Sequence, residues 1–343
     1  MTYKHTERAC FTGYIVQAVV NNFVPLLFLT FQKQFGIPLS QVTLLITLNF
    51  LLQLAVDGAS VFFIDRIGYR ASALLAHGFA ALGLIFLAVL PSVLPSAFAG
   101  LLISVLFYAV GGGLLEVIIS PIVEACPTPN KAGAMSLLHS FYCWGQLGTV
   151  AISTLFLFAF GTGSWPVLAC LWAIVPAIGI AMFAGAPMPR IVPEGTATMR
   201  FADLSKKPVF YLMFLMMLCA GAAEQGMSQW ASAFAESGLG VTKVIGDLAG
   251  PAAFALMMGL SRTIYGVLGH RLDLTAFIAS SSVLCVAMYL TAALTTAPVL
   301  GLLACALTGF SVGIMWPGTF SMAADAMPGG GTLMFALLAV ALP

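Results

Sequence analysis

The sequence predicts an all-α membrane protein built from two parallel repeats of six helices, the second of them incomplete. Three observations carry that expectation. The 343 residues are 61% hydrophobic and only 7% charged, with a mean hydropathy of +1.05, whereas an ordinary soluble domain carries about 25% charged residues. Apolar runs of the length a bilayer crossing needs, about 20 residues, recur along the chain. A shift of about 201 residues then lays one half of the sequence over the other.

In chain order, spans are expected at 9–31, 41–64, 71–91, 97–123, 132–160, 165–186, 208–233, 245–268, 274–294 and 298–323. An apolar stub at 332–343 is too short to cross. The first span follows "MTYKHTERAC" with no A-x-A cleavage site, so it reads as a retained helix rather than a signal peptide. Short turns such as "PSVLPS" and "GTGSWP" separate most spans. The longer polar stretch "APMPRIVPEGTATMRFADLSKKP" marks a linker at 187–207 between a bundle at 1–186 and one at 208–343.

Basic residues set the orientation. With the N-terminus inside, Lys4, Arg8, Arg66, Arg70, Lys131, Arg190, Arg200, Lys206, Lys207 and Arg271 are cytoplasmic. Lys33 and Lys243 fall outside, and Arg262 lies within or near a span. Ten against two obeys the positive-inside rule. A net charge of +1 gives no reason to expect a nucleic-acid partner. The seven cysteines form no CxxC or His/Cys cluster, so neither a disulfide framework nor a metal is expected. No phosphate-binding glycine loop follows a strand and no nucleophile constellation occurs, so the expectation is of no enzyme and no cofactor.

The repeat aligns Gly58 with Gly259, Ser60 with Ser261, Gly68 with Gly269, Arg70 with Arg271, Gly112 with Gly313, Glu124 with Asp325 and Pro127 with Pro328. Six helices are an even number, so both halves share one orientation. The first half ends near residue 186, and a full second half would run roughly 44 residues past Pro343. The expectation is a partial sequence; a natural shortened form is the alternative.

Two loop motifs sharpen the reading. "DRIGYR" (65–70) resembles the loop signature of the major facilitator transporters, G-x-x-x-D-R-x-G-x-R, with Val61 in place of the leading glycine. "EACPTPNKAGA" (124–134) resembles the family's next cytoplasmic signature. Within that family, "LLEVIISP" (114–121), "HSFYCWGQ" (139–146) and "NNFVP" (21–25) are similar to helices four, five and one of the fucose/galactose/gluconate–proton symporter (fucose-permease-like) branch. Asn21 stands where that branch often carries aspartate, and Tyr142 where it carries asparagine. The resemblance implies the major facilitator fold, with parallel halves and substrate held near the membrane midplane. It also implies gating at the cytoplasmic face by Asp65, Arg66, Gly68, Arg70 and Glu124, with Glu124 paired to Arg66 or Arg70.

Ionisable residues inside spans generally face the bundle interior and mark pathways or relays. Glu116 lies eight residues before Glu124, about 12 Å along a helix, and so near mid-membrane. It reads either as a proton-exchanging carboxyl or as one kept permanently neutral within the bundle. The glycines at 111–113 allow close backbone approach beside it, and Pro121 removes a helix hydrogen bond. Asn49, Gln53 and Asp57 form a stripe at i, i+4 and i+8, which fits a pathway or a polar zipper between helices. His139, Tyr142 and Gln146 share a face of the fifth span and suit a polyol, though packing explains the aromatics equally.

On the seventh span, Glu224, Gln225, Ser228 and Gln229 lie within about one and a half turns, and Asn22 repeats the position of Glu224. A midplane site and a solvated outer mouth both fit Glu224. Trp316 offers an aromatic wall, and Arg262 and Arg271 read as gating or ion-pair residues. The expectation is therefore proton-coupled import of a sugar or related small solute by a monomer in a bacterial inner membrane. Proton coupling falls to Glu116, Asp57 and Glu224, and substrate contacts to Asn21, Asn22, His139, Tyr142, Gln146, Gln225, Gln229 and Trp316. The alternatives are a proton-driven exporter of amphipathic compounds and a membrane sensor or scaffold without transport.

Overall fold

The computed structural model describes residues 2–127, 131–189, 201–268 and 272–327, together with Met334, Leu337 and Leu338. Among the described residues the chain is all helix and turn, with no strand. Ten helical segments are long and apolar enough to span a membrane, from Tyr3–Phe35 to Pro298–Ala323. Contacts divide the chain into two compact units, Met1–Ile191 and Val192–Pro343.

In the first unit, α1 (Tyr3–Asn22) starts at Thr2, whose backbone N–H donates to His5 Nδ1 at 3.2 Å. Pro25 has no N–H to continue the ladder, so the chain passes through a 3₁₀ turn, Val24–Leu27, before α2 (Phe28–Phe35). The first span is therefore bent just after Asn21 and Asn22. The helix α3 (Leu39–Ile67) stops at Gly68, whose φ of 84° is reached without strain only by glycine, and α4 (Tyr69–Val93) begins at the next residue. Ser96 caps α5 (Ala97–Ala125) by accepting from Ala99 N at 3.3 Å. After α6 (Lys131–Phe160), the sixth span is broken into α7 (Trp165–Trp172) and α8 (Ile174–Gly185). Pro176 cannot donate to the Trp172 carbonyl, and the break falls there.

Packing in this unit centres on α5, which lies against α1, α3 and α4. The expected close approach at 111–113 is present. A Cβ on Gly111 would stand 2.6 Å from the Ala76 carbonyl oxygen of α4, and one on Gly113 would stand 2.9 Å from the Gln53 carbonyl oxygen of α3. Leu84, Leu87, Leu101, Leu115, Ile118 and Ile122 fill the core. Leu51, Ile85, Ile152 and Leu155 stay exposed, as side chains facing hydrocarbon should.

The second unit begins with the short α9 (Phe201–Leu204) and the seventh span, α10 (Pro208–Ala233), which runs into a π-helical turn at Phe234–Gly238. The eighth span is α11 (Lys243–Asp247), a second π turn at Leu248–Ala252 containing Pro251, and α12 (Ala253–Leu268). Asp273 caps α13 (Leu274–Leu294) by accepting from Ala276 N at 2.6 Å. The last described span is α14 (Pro298–Gly313) and α15 (Met315–Ala326). The repeat is visible in the packing. Gly313, the counterpart of Gly112, brings α14 against α12, where its Cβ would stand 2.8 Å from Ser261 Cβ and 2.9 Å from the Met258 carbonyl oxygen.

These contacts set a test. Gly111→Val places side-chain atoms into the α4 backbone and should cost about 1–3 kcal/mol, read as a lowered midpoint of thermal denaturation in detergent. Gly148→Ala, where nothing stands within 4 Å, should leave the midpoint unchanged.

Candidate functional site

Polar side chains of the first unit converge from four helices. Tyr14, Gln17 and Asn21 lie at i, i+3 and i+7 on α1, hence on one face, and that face meets the Asn49/Gln53/Asp57 stripe of α3. Gln17 Nε2 donates to Glu116 Oε2 of α5 at 2.8 Å and to Gln53 Oε1 at 3.2 Å. Gln53 Nε2 donates in turn to Asn21 Oδ1 at 2.9 Å and Asn49 Oδ1 at 3.0 Å, and Asn49 Nδ2 reaches Asn21 Oδ1 at 3.5 Å. Gln17, Asn21, Asn49, Gln53 and Asp57 are buried, and Glu116 is half-buried. Burying such groups costs several kcal/mol each unless they bond to one another; this chain of amides meets that need for Asn21, Asn49 and Gln53, while Gln17 Oε1 and Asp57 Oδ1 stay without a partner.

The α6 residues adjoin the network through α1. Asn22 Nδ2 donates to the Tyr142 hydroxyl at 3.5 Å. The Tyr14 ring stands 5.4 Å from His139 and, edge to face, 6.5 Å from Tyr142, and its hydroxyl shares a 3.0 Å hydrogen bond with Ser120 of α5. Gln146 is buried one turn beyond Tyr142. Gly145 lets α6 lie close to α1, since a Cβ there would stand 3.0 Å from Ile15 Cα.

In the second unit Glu224 and Arg262 meet beside a backbone defect. Pro317 cannot donate to the carbonyl of Gly313 four residues earlier. Arg262 Nε of α12 donates to that oxygen instead, at 3.1 Å. The same guanidinium places Nη2 3.4 Å from Glu224 Oε2, with both side chains about nine-tenths buried. Gln229 Nε2 donates to Gln225 Oε1 along α10 at 3.3 Å, and Trp316 packs edge-on against Phe320 at 4.4 Å.

Where α3 gives way to α4 in the first unit, Arg66 is exposed and Arg70 donates through Nη2 to the Ala186 carbonyl at 2.7 Å, holding the C-terminus of α8. Thr6 Oγ1 donates to the neighbouring Pro187 carbonyl at 2.6 Å. The side chains of Asp65 and Glu124, and the whole of Arg271, lie outside the described residues, so the expected Glu124 pairing does too.

Three participants were not singled out from the sequence. Gln17 and Tyr14 were legible as an i, i+3, i+7 face shared with Asn21. Asp247, fully buried, accepts a short hydrogen bond from Ser232 and pairs with Lys243 at 3.1 Å, a spacing of i, i+4. Among the described residues no three His, Cys, Asp or Glu side chains gather as a metal would need.

The family model described as Major Facilitator Superfamily matches residues 9–341. The chain belongs to the major facilitator superfamily of transporters. It is accordingly a multi-pass integral membrane protein. No curated protein matches it at the sequence level. Among solved structures it is similar to the fucose:proton symporter of E. coli, with 15% identity and a TM-score of 0.72 over 100% of this chain and 89% of that one. It is similar to a D-xylose–proton symporter at 13% identity, a TM-score of 0.72 and coverage of 100% and 88%. A bacterial homolog of the human lysosomal transporter Spinster, inward-facing and unoccupied, gives 16%, 0.71 and coverage of 99% and 79%. At these identities the likeness concerns the fold.

The Glu224–Arg262 pair makes a stability prediction. Glu224→Gln strands a buried guanidinium and should cost about 3–5 kcal/mol, measured by thermal denaturation in detergent. Replacing both residues by Gln should restore part of the loss, because no lone charge is then left buried.

Proposed function

We propose that the protein is a secondary transporter that imports a sugar or related small polar solute together with a proton, by alternating access. The observation that carries the reading is the hydrogen bond from Gln17 to Glu116, which ends a continuous run of buried amides. Glu116 is half-buried and therefore reachable, so its carboxyl can take up and release a proton while Gln17 holds it in place. Amides donate and accept at once, matching sugar hydroxyls, which do the same. The partly exposed rings of His139 and Tyr142, packed beside Tyr14, suit a sugar's C–H surface.

In this reading Asn21, Asn22, His139, Tyr142 and Gln146 of the first unit, and Gln225, Gln229 and Trp316 of the second, contact the solute. Glu116 carries the proton, with Asp57 and Glu224 in support. The cytoplasmic gate is Asp65, Arg66, Gly68, Arg70 and Glu124, with Arg262 and Arg271 in the second unit. The bias of basic residues supports a cytoplasmic N-terminus in a bacterial inner membrane, and the functional form is a monomer.

Sugar-induced alkalinisation outside right-side-out vesicles tests the proposal. Wild type should take up protons with one sugar from a broad panel. Glu116→Gln should lower proton movement at least about tenfold, as loss of a positioned proton carrier does, while leaving sugar exchange between the two sides intact. Equal proton movement in Glu116→Gln would overturn the coupling assignment. Silence across the whole panel would overturn the sugar reading in favour of export of amphipathic compounds.

A further inference from the structure

Two thiols of the first unit take no part in the polar network. Cys10 of α1 and Cys126, the residue that closes α5, are both fully buried and both free. The side-chain contacts between the two helices set their register. Gln17 meets Glu116, Tyr14 meets Ser120, and Gly13 leaves room for the Ile119 side chain. One number falls as the other rises, so α1 and α5 run antiparallel. Continued by two turns from Gln17, this register sets Cys10 level with Val123, and Cys126 follows Val123 by less than one turn.

The two thiols also lie on facing stripes. Cys10, Tyr14 and Gln17 recur at i, i+4 and i+7 of α1, and Glu116, Val123 and Cys126 at i, i+7 and i+10 of α5. The charges of Cys126 and of Glu7, three residues before Cys10, both act on the Cys10 thiol, and that of Glu7 acts on Cys126. Of the unit's other cysteines, Cys143 donates to the His139 carbonyl of its own helix at 3.8 Å, and Cys170 is exposed.

We propose that Cys10 and Cys126 form a reversible disulfide under peroxide, a clamp that ties the end of α5 to α1 two turns from the Gln17–Glu116 bond. The Cys126 thiolate attacks one peroxide oxygen, the O–O bond breaks, and Cys126 becomes a sulfenic acid as water leaves. The Cys10 thiol then displaces the sulfenic hydroxyl, a second water departs and the S–S bond forms. The two thiols lose two electrons and two protons, and peroxide is reduced to two waters. A disulfide suits this seam better than a metal ion. It is neutral and apolar, whereas a pair of thiolates brings charge into a buried place, and among the described residues no third ligand gathers there. Burial, with the Glu7 carboxylate beside it, pushes the Cys126 thiol up to about 11. Little thiolate exists at neutral pH, so the clamp answers to a strong oxidising challenge rather than to ordinary redox traffic. In a reducing compartment such bonds are transient, as a switch requires.

Peptide mapping of the purified full chain under non-reducing conditions, before and after hydrogen peroxide and without solute, tests the clamp. Wild type should yield a peroxide-induced link between the peptides that carry Cys10 and Cys126, and dithiothreitol should remove it. Its rate of formation should rise about tenfold per pH unit between about pH 7 and 9, following the thiolate of a group at about 11, where an ordinary thiol levels off above about 8.5. The oxidised chain should denature at a higher temperature than the reduced one, because the bond closes a long loop. Cys170→Ser should behave as wild type. Cys126→Ser should form no such link while its size-exclusion profile shows it folded. Absence of the Cys10–Cys126 link at a peroxide dose that oxidises exposed Cys170 overturns the proposal, as does a link from Cys10 to another cysteine in its place. A link that leaves the denaturation midpoint unmoved overturns the clamp. The assay reads neither solute nor proton movement, so its outcome and that of the Glu116 coupling test are independent.

Discussion

The 2.8 Å donation from Gln17 to Glu116 joins a fully buried amide to a half-buried carboxyl inside the helix bundle. In water such a bond contributes only about 1 kcal/mol net. Within a bilayer, every polar group must find its partner inside the protein. One carboxyl on α5 therefore requires an amide on α1. That amide requires another on α3, and so on to Asn21 and Asn49. The glycines at 111–113 serve the same end, because only bare backbone lets α5 approach α3 and α4 closely enough for these short side chains to meet.

The second unit meets the same constraint with charge instead of amides. The residue that repeats Glu116 is Pro317. Where the first unit has a carboxyl to satisfy, the second has a carbonyl without a donor, and Arg262 bonds to it while pairing with Glu224. The two units thus share backbone packing, as Gly112 and Gly313 show, but carry different chemistry at one repeated position.

Much of the fold was legible because hydrocarbon imposes simple rules: run length alone gave the ten spans. The site was legible in part. Glu116, Asp57 and the Asn49/Gln53 stripe stood out because charge and polar periodicity are conspicuous in an apolar run. Gln17 did not, since a single uncharged amide between Val16 and Ala18 looks like noise until its partners on α3 and α5 are known. The bond between Arg262 and Gly313 was hidden for another reason. Pro317 announces a carbonyl without a donor, but nothing in the linear sequence says which neighbouring helix brings the donor. Asp247 was missed because an acid four residues after a lysine does not by its spacing differ from a solvated surface pair, and only its complete burial sets it apart.

The central claim is that Glu116, held by Gln17, is the group that gains and loses the proton. Infrared difference spectroscopy on adding solute tests it most directly, through the carboxyl C=O stretch of a protonated side chain. A solute-induced band that disappears in Glu116→Gln and shifts when Gln17→Leu removes the donor is the predicted result. A band unchanged in both variants would contradict it.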